Sequence, residues 1–139
     1  MISTVAVGTD GSATADEAVR QATEVARRFD AKLVLLSAFQ DSAAAPPGDD
    51  IELQWATSSS ARVRTILDQL KAEIAQDGIE CETRAEEGDP AEVLVRLADE
   101  CDADLLVVGN RGMKRRVLGS VPNSVTHKAG CSVLVVKTT

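Results

Sequence analysis

Glycine and basic residues concentrate between residues 109 and 120, a combination that suits anion binding. Gly109 and Gly112 follow an apolar run, and Gly119-Ser120 stands where a short helix is expected to begin. Glycine lets the backbone turn tightly and lets a ligand approach closely, and the N–H groups at the start of a helix attract anions. The same residues also suit an ordinary strand-to-helix connection that needs glycine for its turns, so the glycines alone leave both interpretations open.

A second polar group follows the first apolar run of the chain, where Thr9, Asp10 and Gly11 stand together. A carboxylate at a strand end can accept hydrogen bonds from a ribose hydroxyl or an adenine amine. The alternative is that Asp10 closes its own turn by bonding the local backbone. Neither this segment nor the 109–120 segment matches a Walker loop or the GxGxxG pattern.

The residue types that usually carry catalysis or bind metals are sparse. His127 is the only histidine, and no serine or cysteine is placed with it in a recognisable triad. Cys81, Cys101 and Cys131 lack the spacing of metal ligands and lie in or beside apolar runs, so we expect reduced core residues. The sequence therefore predicts no catalytic residue and no metal site.

Charge is divided unevenly along the chain. The net charge is −7, and all 22 acidic residues lie at or before Asp104. The first 104 residues hold nine basic residues against these 22, a net charge of −13, while residues 105–139 hold six basic residues and no acidic ones. This asymmetry favours an anion site in the last part of the chain, although a solvated basic loop would produce the same pattern. The negative total and an aromatic share of 2% argue against nucleic-acid binding.

Short apolar runs alternate with amphipathic segments along the whole chain. The expected strands are Thr4–Gly8, Lys32–Ala38, Ile79–Ala85, Leu105–Val108 and Cys131–Val136. This alternation predicts an α/β fold, an open doubly wound parallel sheet of five strands with helices on both faces. In such a sheet the ligand lies at the carboxyl ends of the strands where the winding reverses. If the strand order is 3-2-1-4-5, the Asp10 turn and the 109–120 segment are neighbours at that point.

Two helix starts and one long loop stand out between these strands. Thr14 with Glu17 fits a capping box for the first helix, although Ser12 is an alternative cap. Asp89-Pro90 marks another helix start. Residues 41–60, which include Trp55, predict a loop long enough for a lid or a binding role.

The chain length and its apolar runs indicate a single domain over residues 1–139. No basic stretch precedes the first strand, and no apolar run approaches the roughly 20 residues of a membrane span. Together with the widely spaced cysteines, these features predict a cytoplasmic protein that does not contact membranes.

Several motifs, taken together and in order, resemble those of the universal stress protein family over nearly the whole chain. The segments that carry the resemblance are Val7–Ser12, Gly88–Pro90, Ala103–Gly112, Leu118–Val121 and Cys131–Val136. The resemblance implies a Rossmann-like fold of the adenine nucleotide alpha hydrolase type, with strand order 3-2-1-4-5. It also implies a homodimer in which the last strands, here residues 132–137, pair across a two-fold axis. An apolar edge strand at this place would need such a cover.

The family resemblance also implies a ligand and a site. Members that bind nucleotides hold ATP, and some hold cyclic AMP. The ligand that this implies here is ATP, with AMP and cyclic AMP as alternatives, and Mg²⁺ is the metal ion that would accompany it. Asp10 would contact the nucleoside and Ala38 the adenine, while glycines and Ser120 would surround the ribose and phosphates. The full set of implied site residues is Thr9, Asp10, Ala38, Gly109, Arg111, Gly112, Gly119, Ser120 and Val121.

One departure from the family pattern bears on this expectation. The usual motif is Gly-x2-Gly-x9-Gly-Ser, but here only the six residues Met113–Leu118 separate Gly112 from Gly119. We therefore expect a triphosphate to be held less completely or in another pose. The leading interpretation is a stress-response protein that acts as a nucleotide sensor or reservoir. The alternatives are a dimeric interaction module that binds no nucleotide, and a weak ATPase whose hydrolysis is slow because no general base is evident.

Overall fold

A computed structural model describes residues 1–40, 59–110 and 118–137 of the chain. The strands are β1 (Thr4–Gly8), β2 (Lys32–Phe39), β3 (Cys81–Glu87), β4 (Leu105–Asn110) and β5 (Ser132–Lys137). The helices are α1 (Ala13–Phe29), α2 (Ser60–Ala75), α3 (Pro90–Glu100) and α4 (Ser120–Lys128). Most of the expected 41–60 loop, including Trp55, lies outside the described residues.

The five strands form one parallel sheet in the order β3-β2-β1-β4-β5, which confirms the predicted topology. β1 lies between β2 and β4, with Val7 opposite Leu35 on one side and Val107 on the other. The winding direction reverses between β1 and β4. The turns that leave the carboxyl ends of these two strands therefore start side by side.

Two apolar layers cover the sheet, one on each face. Because side chains alternate along a strand, Val5 and Val7 of β1 pack beneath α1 and α2, while Ala6 packs beneath α3 and α4. β1 is buried on both faces, and its apolar run follows from this position. The strand that must position the site is thus fixed from both sides.

Short polar residues set the helix starts. The helix α1 begins at Ala13, and its N-cap is Ser12, whose Oγ accepts a hydrogen bond from the Ala15 N–H at 3.2 Å. Thr14 lies inside the helix and is not the cap, so the capping-box expectation is wrong and the Ser12 alternative holds. Asp89 caps α3 as expected, accepting from the Glu92 N–H at 3.1 Å. The cap at Ser12 places the start of α1 directly after the Asp10 turn.

Candidate functional site

The carboxyl end of β1 is a buried polar turn. Thr9 and Asp10 are 1% and 4% exposed, although both carry polar side chains. The Thr9 N–H donates to the Leu36 carbonyl at 2.9 Å, and the Ser37 hydroxyl donates to the Thr9 carbonyl at 2.7 Å. The turn is therefore held against β2 beyond the last residue of β1.

The carboxylate of Asp10 uses its two oxygens differently. Oδ1 accepts a hydrogen bond from the Ser12 N–H at 2.9 Å, which closes the local turn as one of the two interpretations expected. Oδ2 is buried and has no hydrogen-bond partner within the described part of the chain. A buried polar atom without a partner is costly, so Oδ2 is an acceptor available to a ligand.

Gly11 follows Asp10 in a left-handed backbone conformation, with φ of +81°. Its N–H donates to the Thr9 Oγ1 at 3.1 Å. A β-carbon at this position would overlap the Cδ1 atom of Ile66, which reaches the turn from α2. Glycine is required here for its backbone conformation, and an added β-carbon would also force the half-buried Ile66 side chain to shift.

Asn110 joins β4 to the start of α4. It is the last residue of β4 and is 1% exposed. Its Oδ1 accepts a hydrogen bond at 2.9 Å from the N–H of Gly119, which is the N-cap residue of α4. The Gly119 N–H therefore already has a partner inside the protein. Asn110 is not among the site residues expected from the sequence, although a polar residue directly after an apolar strand and a glycine was the available signal.

The first residues of α4 form the second half of the candidate site. Ser120 is exposed, and Val121 is 8% exposed with its side chain packed in the core beneath α3 and α4. The first turn of α4 contains no acidic residue. The positive end of the helix dipole is therefore not neutralised locally, and such an end favours a bound anion.

The remaining expected site residues are placed as follows. Gly109 is half-buried near the end of β4, next to Asn110. Ala38 is fully buried near the end of β2, two residues beyond the partner of Gly8, and its side chain belongs to the core beneath α3 and α4. Arg111 and Gly112 lie outside the described residues. The topology thus places Thr9, Asp10, Ala38, Gly109 and the start of α4 at the same end of neighbouring strands.

Other classes of site find no support among the residues that the structure describes. No group of three or more His, Cys, Asp or Glu side chains there is arranged to hold a metal ion. In the same ranges, no helix combines the length and apolar character needed to cross a membrane. His127 is exposed near the end of α4. The three cysteines are free, and burial raises the pKa of each thiol above its ordinary value.

Comparison with known proteins gives matches over nearly the whole chain. A family-wide sequence model described as the universal stress protein family matches residues 1–137. A universal stress protein of Mycobacterium tuberculosis strain H37Rv is 40% identical over 142 aligned residues, covering 98% of this chain and 97% of that protein.

Solved structures agree with the sequence matches. A universal stress protein in complex with cAMP is 37% identical, with a TM-score of 0.77 and coverage of 99% of both chains. A universal stress protein family protein from Arabidopsis thaliana with AMP bound is 26% identical, with a TM-score of 0.73, covering 99% of this chain and 92% of that one. From its motifs, its sheet topology and these matches, the chain belongs to the universal stress protein family.

Proposed function

We propose that this chain binds an adenine nucleotide where the carboxyl ends of β1 and β4 meet, with ATP, AMP and cyclic AMP as the candidate ligands. The observation that carries the proposal is the buried Oδ2 of Asp10, an acceptor that has no partner in the described chain. Two structurally similar universal stress proteins were solved with cAMP and with AMP, and their ligands support an adenine nucleotide here.

In this proposal, Asp10 binds the nucleoside part of the nucleotide and the start of α4 binds its phosphate. Asp10 Oδ2 accepts a hydrogen bond from a ribose hydroxyl or from the adenine amine. The phosphate lies against the start of α4, where the helix dipole favours negative charge. Residues 105–139 carry no acidic side chain that would repel it. Because the described residues include no metal-binding cluster, Mg²⁺ accompanying a triphosphate would be held mainly by phosphate oxygens.

The proposed role is that of a stress-response sensor or reservoir, with ATP hydrolysis slow at most. The site residues that the structure describes include one carboxylate, Asp10, and no histidine. Asp10 already holds the Ser12 N–H and would also hold the nucleoside. It is therefore poorly placed to take a proton from an attacking water molecule, which is the task of a general base.

We further propose a homodimer that forms through residues 132–137. β5 pairs with β4 on one side, and at the end of the described sheet its other side has no neighbouring strand. Val133, Leu134 and Val135 are each half-buried, so the strand presents apolar surface together with unpaired backbone groups. A second copy of β5 would cover both.

The Asp10→Asn variant tests the nucleotide proposal by isothermal titration calorimetry with ATP, AMP and cyclic AMP. The amide can keep the turn bond from the Ser12 N–H but removes the charged acceptor at the other oxygen. A hydrogen bond to a charged group contributes about 1.5–3 kcal/mol, so we expect affinity to fall about 10- to 100-fold. The matched control is Asp68→Asn, at an exposed carboxylate of α2, which should bind as the wild type does.

Two outcomes would contradict the proposal. If the wild-type protein binds none of the three ligands at millimolar concentration, the dimeric interaction module becomes the better description. If Asp10→Asn binds with undiminished affinity, the nucleotide lies elsewhere on the molecule. Phosphate release from ATP that disappears in Asp10→Asn, but not in Asp68→Asn, would instead support the weak ATPase.

A further inference from the structure

The hydrogen bond between Asn110 and Gly119 connects the end of β4 with the residue that precedes α4. Asn110 ends β4, Gly119 precedes α4, and the two residues are nine positions apart. The Asn110 side chain is almost completely buried, and its Oδ1 lies 2.9 Å from the Gly119 nitrogen. This buried hydrogen bond fixes the distance between the end of β4 and the start of α4, and it also fixes the direction in which the Gly119 N–H points.

Gly119 cannot cap α4 with a side chain of its own, and no side-chain cap is formed from that residue. A helix start leaves several N–H groups without partners inside the helix. Asn110 supplies the acceptor for the Gly119 N–H from outside the helix. The amide nearest the end of β4 is therefore occupied before any ligand arrives.

We infer that Asn110 is a positioning residue for the nucleotide phosphate, an inference that rests on the proposed function. It holds the start of α4 against the end of β4. The unpaired Oδ2 of Asp10 lies at the carboxyl end of β1, the strand that neighbours β4. Asn110 also removes the Gly119 N–H from the set of phosphate donors. The phosphate is thus directed to the part of the helix start that follows Gly119, beginning at Ser120.

The neutral amide of Asn110 matters in this inference as much as its shape does. An aspartate would accept the same hydrogen bond from Gly119 but would place a negative charge beside the phosphate. Coulomb repulsion inside a partly buried site is strong and grows with the charge of the ligand. Asn110→Asp therefore separates the positioning of the helix from the charge of the site.

The inference is tested with the variants Asn110→Ala and Asn110→Asp and with the ligands adenosine, AMP and ATP. For Asn110→Ala, we expect the Gly119 amide to exchange with solvent at least tenfold faster, measured by NMR hydrogen exchange. In calorimetry, its affinity for AMP and ATP should fall about tenfold or more, while its affinity for adenosine changes less than twofold. For Asn110→Asp, the Gly119 amide should stay protected, adenosine should bind as before, and affinity should fall further for ATP than for AMP.

The matched control is Gln76→Ala, at an exposed amide side chain that follows the last residue of α2, which should leave both readouts unchanged. The inference is overturned if Asn110→Ala loses adenosine and ATP equally, since that pattern indicates a general structural role. It is also overturned if wild-type protein binds ATP and Asn110→Ala binds it equally well. A wild-type protein that binds no adenine nucleotide would instead reject the proposed function, and the phosphate role with it.

Discussion

Asp10 closes its own turn through one carboxylate oxygen, Oδ1. Its other oxygen, Oδ2, is buried and unpaired within the described chain, next to the carboxyl end of β1. The two interpretations of this residue from sequence, a turn residue and a ligand acceptor, therefore do not exclude each other. The turn bond orients the carboxylate, so the oxygen that we propose as the acceptor for a ligand would need no rearrangement before binding. Such preorganisation reduces the entropic cost of binding.

The neighbouring Gly11 leads to a prediction at the residue scale. Gly11→Ala places a β-carbon in a left-handed conformation and against Ile66. The conformation costs about 1–2 kcal/mol, and moving the half-buried end of the Ile66 side chain adds about 1 kcal/mol. We expect a loss of about 2–3 kcal/mol in the free energy of unfolding, measured by urea denaturation.

Gly78→Ala is the matched control for this prediction. Gly78 has nearly the same φ, +78°, but a β-carbon there would meet nothing within 4 Å. It should lose only the conformational part, about 1–2 kcal/mol. Equal losses in the two variants would show that the contact with Ile66 does not hold the Asp10 turn.

At the scale of elements, Asp104 fastens the start of β1 to the start of β4. Its Oδ2 accepts hydrogen bonds from the Ser3 and Thr4 N–H groups at 2.8 and 3.0 Å, and its own N–H donates to the Thr4 carbonyl at 2.9 Å. The two backbone N–H groups lower the pKa of Asp104 below its ordinary value. These bonds lie at the opposite end of the strands from the candidate site.

The lowered pKa of Asp104 predicts a pH dependence of stability. A carboxylate whose pKa is depressed by folding stabilises the protein fully above its unfolded pKa, which is about 3.9. That contribution is lost as the pH falls through the lower, folded pKa. Asp104→Asn should therefore be less stable than the wild type at pH 7, with the difference shrinking as the pH falls below about 4.

Thermal unfolding between pH 7 and pH 2 measures this difference in stability, with Asp68→Asn, at an exposed carboxylate, as the control. A difference that stays constant over this range would contradict the prediction.

The helices and strands also show which features of the fold could be predicted from the sequence. Apolar runs and cap residues predicted the five strands and the start of α3, because local patterning decides these features. Crossover handedness left a few strand orders open, and the order 3-2-1-4-5 came from the family resemblance. Apolar runs and cap residues did not predict the bond from Asn110 to Gly119 or the packing of Ile66 on Gly11. Both contacts join residues from different elements, and their partners depend on side-chain placement that no local pattern encodes. Thr14 was the wrong N-cap for α1, and Ser12 is the observed one. Both residues have a hydroxyl side chain near the helix start, so the capping preference alone does not distinguish them.

At the scale of the whole molecule, the two edges of the described sheet differ in character. β3 carries acidic and basic side chains, in the sequence CETRAEE, which discourage pairing with another strand. β5 carries half-buried apolar residues and only one charged side chain. This contrast supports the proposed self-association through β5 and argues against association through β3.

The homodimer proposal yields a prediction at this scale. Val135→Glu places two negative charges near the two-fold axis of the proposed interface, so we expect the dimer to dissociate. Size-exclusion chromatography with light scattering should give half the wild-type mass. Ala85→Glu, at an exposed position on β3, is the matched control and should remain dimeric. A monomeric wild-type protein, or a dimeric Val135→Glu variant, would contradict the interface.

The pairing of β1 with both β2 and β4 also has a consequence for folding kinetics. The contacts from β1 to β2 close a loop of a few tens of residues, whereas those from Val5 to Leu105 join positions 100 residues apart. Closing a longer loop costs more chain entropy, and contacts of high sequence separation slow folding. During synthesis, the Asp10 turn leaves the ribosome long before β4 and α4 exist to complete the site. If the nucleotide binds at the proposed site, a nascent chain gains affinity for it only when its last quarter, which holds β4 and α4, has emerged and docked. Bound nucleotide would then mark chains that have finished folding.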